Sequence, residues 1–274
     1  MLNHPVNRTL SVTLDGEPLS FSGRMRLRGK DDLSLFPALF TLDLWNLPEE
    51  MALRLSRCRN IAVSHMDACL VSGRVWDVYR RGTPEGILTS VSVSLGLELW
   101  ESTVSLSVPA GTPVSETVRR ILDASGTGVP LLSAFSPDPV SVRGQSFFGR
   151  AAECVTEALS AVPCRAMLVP AGLMVVPKQG NGPAVRITEA DLTDAPVFTG
   201  GSLHGVPSLM ILSASVSGWR PGQTVEAEWI GGRDQGAGGR FYREICARGI
   251  ITERSVDADT GDGSWKCGMI AEIV

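Results

Sequence analysis

Apolar residues spaced two apart, in segment after segment, constrain this chain more than any other feature. Val91, Val93, Leu95, Leu97 and Leu99 alternate through Ile87 to Trp100. Thr9 to Leu14 and Phe40 to Trp45 alternate in the same way. Phe21 to Arg28 sets Phe21, Gly23, Met25 and Leu27 on one face and Arg24, Arg26 and Arg28 on the other. Asn60 to His65 and Ala68 to Arg80 read as a hairpin turning near Met66 and Asp67. Successive strand side chains point to opposite faces, so a one-sided period of two predicts an antiparallel sheet or barrel with one buried face. Asp15-Gly16-Glu17-Pro18 is a turn signal. The 29 glycines and 17 prolines, rarely in runs, suit many short strands joined by turns.

The period then changes. Thr112-Pro113 reads as an N-cap followed by proline at the first helical position, with Val114, Val118, Ile121 and Leu122 at helical spacing and Gly126 as the stop. A second helix is expected from about Phe148 to Ala161, with Ala151, Ala152, Val155, Ala158 and Leu159 inward and Pro163 beyond its end. Strands Arg165 to Val169 and Leu173 to Val176 flank an Ala171-Gly172 turn. Strand patterning returns at Leu209 to Ser215, Thr224 to Ile230, Phe241 to Glu253 and Ser264 to Ile273. The expected fold is therefore mainly β with a small α+β insert. Residues 1–108 form a first β domain, 109–184 the insert, and 185–274 a second β domain. No short repeat period is visible.

Composition and motifs exclude more chemistry than they suggest. Lysine occurs only at 30, 178 and 266, and there are three histidines and two tyrosines, a poor stock for general acid–base catalysis. The net charge of −4 comes without a basic stripe, which argues against a dedicated duplex binder. Arg54, Arg57 and Arg59 read as a solvated face. The Gly-rich loop Gly231 to Gly239 has neither a Walker nor a dinucleotide pattern and no helix behind it, so a hairpin loop is expected. Asp257, Asp259 and Asp262 cluster, but the EF-hand spacing fails and a polar hairpin tip is expected. His4, His65 and His204 lack neighbouring ligands and read as ordinary surface or core histidines. The cysteines at 58, 69, 154, 164, 246 and 267 have no zinc spacing and read as buried thiols, with a Cys246–Cys267 bridge as the alternative if their strands pair. Tryptophans 45, 76, 100, 219, 229 and 265 fall on strands or strand ends, suited to core or subunit contacts. The opening MLNHPVNRTLSV carries no readable secretory signal. The uncharged run Ala195 to Trp219 is broken by Gly and Pro and is not a membrane helix.

Five segments, in order, resemble the hub proteins at the centre of phage baseplates. Phe40 to Glu49 is similar to the strand and "NL(S/P)" turn of that family's first domain, and Val71-Ser-Gly73-Arg74-Val75 to its "G-x-I" strand. Pro109-Ala-Gly111-Thr112-Pro113 resembles its "G-T" helix start, and Val142-Arg143-Gly144-Gln145-Ser146 its "RG-x-s" element. Asp259-Thr-Gly261-Asp-Gly263-Ser-Trp265 resembles its closing "DT-x-G-x-W" hairpin. The resemblance implies two tube-type antiparallel β-barrel domains flanking the α+β unit. It also implies a homotrimer whose six barrels form a ring matching a six-fold tail tube, and an insert that meets the central spike. DNA would pass the lumen without specific binding. The protein would sit in the virion tail, assembled in the bacterial host cytoplasm, with no catalytic, cofactor-binding or metal-binding residue and no membrane span. Three alternatives stand beside it: the spike-base module of a contractile secretion apparatus, a tail-associated cell-wall hydrolase, and a nucleic-acid-binding barrel.

Overall fold

The computed structural model describes residues 7–194, 196–199, 207–230 and 244–273. The first β region contains β1 (Ser11–Leu14), β2 (Glu17–Pro18), β3 (Met25–Asp32) and β4 (Ala38–Trp45), then helix α1 (Glu49–Arg57), then β5 (Asn60–His65), β6 (Ala68–Thr83) and β7 (Gly86–Leu95). The insert runs through α2 (Leu97–Glu101), β8 (Thr103–Val108), α3 (Val114–Ser125), β9 (Gln145–Arg150), α4 (Ala151–Leu159), β10 (Cys164–Val169) and β11 (Gly172–Pro177). The second β region holds β12 (Asn181–Ile187), β13 (Val197–Thr199), β14 (Ser208–Ser213), β15 (Gln223–Ile230), β16 (Glu244–Asp259) and β17 (Trp265–Ile273). The expected class, mainly β with a small α+β insert, is what the chain adopts.

Both β regions belong to one 13-stranded sheet, ordered β13-β14-β17-β16-β3-β4-β7-β6-β5-β1-β2, with β15 on β16 and β12 on β15. No closed barrel forms among the described strands, which corrects the expectation of two barrels. The first region curls round its core, and Arg8 donates to the carbonyls of Gly261 and Gly263 at the far hairpin, both at 3.1 Å. Leu27, Leu42, Leu44, Phe40, Val63, Val91 and Val93 fill that core, joined by Val256, Ala258 and Trp265 from the second region. Each fully buried aliphatic side chain of this size contributes about 1.5–3 kcal/mol. The second region packs Leu209, Ile211, Trp219, Val225, Ile251 and Met269. The insert has its own core between α3 and α4, built on Val118, Ile121, Phe147, Val155 and Leu173.

Local chemistry moves several expected boundaries. The strand from Ile87 stops at Leu95, because Gly96 turns left-handed at φ 88° and Leu97–Glu101 closes a helical turn. Leu168 packs where a Gly96 side chain would stand. The second insert helix starts at Ala151, not Phe148, since Gln145–Arg150 is a strand paired with β8. α3 has Pro113, not Thr112, at its N-cap, and Asp138 accepts from the Ser115 N–H across the fold. Helix α1 was not expected. Its signals are Glu49 and Glu50 in the first turn, Arg54 and Arg57 in the last, and inward Ala52 and Leu55.

Candidate assembly interface

The two β regions meet along a seam between β3 and β16. On β3 and just before it the residues of one face are Arg24, Arg26, Arg28 and Lys30, while on β16 they are Glu253, Asp257 and Asp259. Antiparallel pairing sets Arg28 opposite Asp257 and Arg26 opposite Asp259. The side chains then reach diagonally. Arg24 grips Asp259 with two bonds of 3.0 and 2.8 Å and reaches Glu85 at 2.7 Å. Arg26 grips Asp257 at 2.8 and 3.0 Å, and Lys30 meets Glu253 at 2.7 Å. Arg28 pairs with Asp43 on β4, which also accepts from Ser90 on β7. Every cation of the ladder meets a carboxylate, across β3, β16 and β4. Arg24 also lies over the Trp45 ring, 4.4 Å from its centroid.

Asp259 anchors the closing hairpin. Its side chain is 0% exposed. Burial pushes its carboxyl up, but the Arg24 bond, the Gly261 N–H and the charges of Arg24 and Arg26 outweigh that and hold it below the ordinary value. Its Oδ1 accepts from the Gly261 N–H at 2.9 Å. A Cβ on Gly263 would lie 2.1 Å from its Oδ2, so glycine is required there. Thr260 exchanges two bonds with Met25: its N–H donates to the Met25 carbonyl at 2.8 Å, and its hydroxyl accepts from the Met25 N–H at 2.9 Å. The "DT-x-G-x-W" segment is therefore the clasp of the seam.

The inward face carries a second element that sequence patterning did not mark. Arg254 is 2% exposed and Asp31 8%. Arg254 binds both Asp31 oxygens, at 2.9 and 2.6 Å, and donates to the carbonyls of Trp219 at 3.2 Å and Leu70 at 3.0 Å. The β5–β6 register shifts between Val63 and Ser64, beside Leu70. Arg220 takes the Cys69 carbonyl at 2.8 Å in the same place, and burial lowers its pKa, with Arg254 adding to the effect. Two arginines of the second region, Arg254 buried and Arg220 half-buried, thus tie down the bulged strand of the first.

The other singled-out residues have plain roles. His65 is buried, its Nδ1 2.8 Å from the Thr9 carbonyl and its ring edge-on to Trp265. His4, His204 and the loop from Gly231 to Gly239 lie outside the described residues. Asp257 and Asp259 are spent on arginines, and among the described residues no group of His, Cys, Asp or Glu is arranged to hold a metal ion. Cys267 is a free thiol that stands opposite Val256 and Ser213 rather than Cys246, which corrects the bridge alternative. Burial pushes that thiol up to about 12. Trp219 and Trp265 are buried, and Trp100 stacks on Phe36. Trp76 is 61% exposed on β6. On the insert, Val140, Val142 and Phe148 are exposed. A groove of about 700 Å³ is lined by Leu33, Phe36, Trp100 and Leu159. Among the described residues, no helix is long and apolar enough to cross a membrane.

No family model matches the chain, and no curated protein matches it by sequence. Solved structures do share its fold. A tail protein from Neisseria meningitidis MC58 matches with a TM-score of 0.66 and 13% identity, covering 96% of this chain and 95% of that one. The 43 kDa tail protein of prophage MuSo2 from Shewanella oneidensis matches at 0.65 and 9% identity, over 97% and 98%. An Escherichia coli protein described as a component of the type VI secretion system, similar in structure to phage T4 tail proteins gp27 and gp5, matches at 0.62 and 12% identity, over 96% and 76%.

Proposed function

We propose that the chain is a phage or prophage baseplate or tail hub, a non-enzymatic ring component that joins the tail tube to the central spike. The observation that carries this reading is the fold, shared over nearly its whole length with proteins described as tail proteins. The seam adds support. Its outward face is polar but already neutralised by internal ion pairs, so it offers few unpaired cations to phosphate. A lumen lined in this way would let DNA slide. The exposed apolar residues of the insert, Val140, Val142 and Phe148, suit a contact with a spike or neighbouring baseplate protein. The working state is a homotrimer in the virion tail, assembled in the host cytoplasm.

The test is sedimentation of the purified chain at tens of micromolar, with electron microscopy of the same sample. A species of three times the chain mass, ring-shaped in projection, is expected. A monomer at every concentration, with no ring when tube subunits are added, would refute the reading.

A further inference from the structure

The two β regions are built on one plan, and one junction of that plan is occupied while its counterpart stands open. The strand order β5-β6-β7-β4-β3 in the first region corresponds to β15-β16-β17-β14-β13 in the second. β6 and β16 are both 16 residues long. In each, pairing with the following strand is irregular between the eighth and tenth residues, Val75 and Asp77 in one, Ile251 and Glu253 in the other. In each, the preceding strand covers only the first seven residues, up to Arg74 and Ile250. Each has glycine at its sixth position, Gly73 and Gly249, where a Cβ would strike the carbonyl of Ser94 at 2.3 Å or of Glu272 at 2.8 Å.

The difference lies at the far half of the two strands. On β16, residues Glu253 to Asp259 are taken by β3. On β6, the equivalent stretch Asp77 to Thr83 pairs with β7 on one side and, among the described residues, with no strand on the other. Such an edge is a template for another strand, and this one displays exposed Trp76 and Tyr79. The strand equivalent to β3 is β13, the outer strand at one end of the sheet, where Val197 is 47% exposed. We propose that β13 of one copy pairs antiparallel with residues 79–81 of β6 in the next copy, repeating between chains the junction that β3 and β16 make within one.

The register follows from partner to partner. Val75 faces Val93, Val93 faces Phe40, and Phe40 faces Gly29. Likewise Ile251 faces Ala271, Ala271 faces Leu209, and Leu209 faces Phe198. Phe198 therefore corresponds to Gly29, which pairs with Val256, and Val256 corresponds to Arg80. Val197 is set opposite Arg81, and Thr199 opposite Tyr79. The charges agree, since Arg80 and Arg81 would meet a strand that follows the acidic stretch of Glu189, Asp191 and Asp194. The contact is shorter than its template, because β13 has three residues where β3 has eight. It is also head-to-tail, as a closed cyclic ring requires. The proposal rests on the reading that copies of this chain form a ring.

Cysteine cross-linking of the full chain tests it. Directly opposed cross-strand residues have Cβ atoms about 4.5–5.5 Å apart and diagonal ones about 7–8 Å, so an engineered disulfide reports register. A chain carrying Arg81→Cys and Val197→Cys, oxidised mildly beside the parent chain, should give a covalent ladder ending at the trimer. Tyr79→Cys with Val197→Cys should cross-link at least tenfold more slowly. The Arg81→Cys and Val197→Cys single variants should link when mixed and not alone. Homodimers from Arg81→Cys alone would mean a β6-to-β6 contact and would overturn the proposal. So would rings seen by microscopy without the 81–197 link, an outcome that leaves the hub reading standing. Absence of any ring, with no link, would sink both.

Discussion

Arg254→Met removes the guanidinium at the centre of the buried seam. Arg254 donates four hydrogen bonds, two to Asp31 and one each to the carbonyls of Trp219 and Leu70. The variant leaves the Asp31 carboxylate without its partner at 8% exposure. Stranding one half of a buried pair costs about 3–5 kcal/mol. Each carbonyl left without a donor costs about 1–3 kcal/mol, part of it already inside the first figure. The expected loss is therefore at least about 3 kcal/mol, a fall in Tm of about 6–12 °C for a chain of this size. The double variant Asp31→Leu with Arg254→Met strands no charge and should recover most of the loss, keeping only the deficit of the two carbonyls. Thermal unfolding followed by circular dichroism, across all four corners of the mutant cycle, separates the pair from its surroundings. An Arg254→Met chain within about 1 kcal/mol of the parent would refute the claim that this residue closes the seam. A double variant no more stable than the single would do the same.

Two further outcomes follow from ionisation. Asp259 has its folded pKa held below the unfolded value of about 3.9, so its contribution is fully present above that pH and is lost as pH falls through the folded value. The seam should weaken below about pH 4, and Asp259→Asn should lower Tm at pH 7 while flattening its fall toward pH 3. A variant whose Tm falls as steeply as the parent's would count against the Arg24–Asp259 clasp. Cys267, with its thiol pushed up to about 12 and no exposed surface, should resist maleimide in the native chain and label fully in urea. Equal labelling with and without urea, read by peptide mass spectrometry, would contradict its burial.

Much of the fold was legible because strands and helices write different periods into sequence. β4, the β5–β6 hairpin, β7 and the apolar face of α3 follow directly from spacing. The misplaced boundaries have local causes. Leu97 and Leu99 continue the alternation of β7, but a left-handed Gly96 breaks the strand before them. Phe148 looks like the start of a helix until β8 is available to pair with it. Both halves of the seam were visible, arginines alternating on β3 and carboxylates gathered near Asp259. Their partnership was not visible, because more than two hundred residues separate them and pairing depends on the folded sheet. The duplication is hidden for a related reason. Across the sixteen aligned positions of β6 and β16 only the glycine is shared. A strand needs alternation, and the crowding of Ser94 or Glu272 needs a missing side chain, so little else in the sequence is held in common.

The seam answers two demands with separate faces of the same two strands. Apart from the Arg24–Asp259 clasp, whose carboxylate is buried, most ion pairs on this face are part-exposed, and such pairs are worth about 0–1 kcal/mol each. They are therefore poor cement, and the cores on the inward face carry the stability. What the ladder does is fix register. A slip by two residues would set Arg28 opposite Ser255 or Asp259 and shift every diagonal reach, while a slip by one would turn Arg254 out of the core. The buried Arg254–Asp31 pair enforces the same register from below, at the price of desolvation that an apolar pair would avoid. In a ring built from repeated junctions, a register error at one seam would tilt every later unit and prevent closure. On the proposed reading, specificity of alignment is worth more to this chain than the last increment of stability, and the neutral polar face that the ladder leaves behind is what passing DNA would meet.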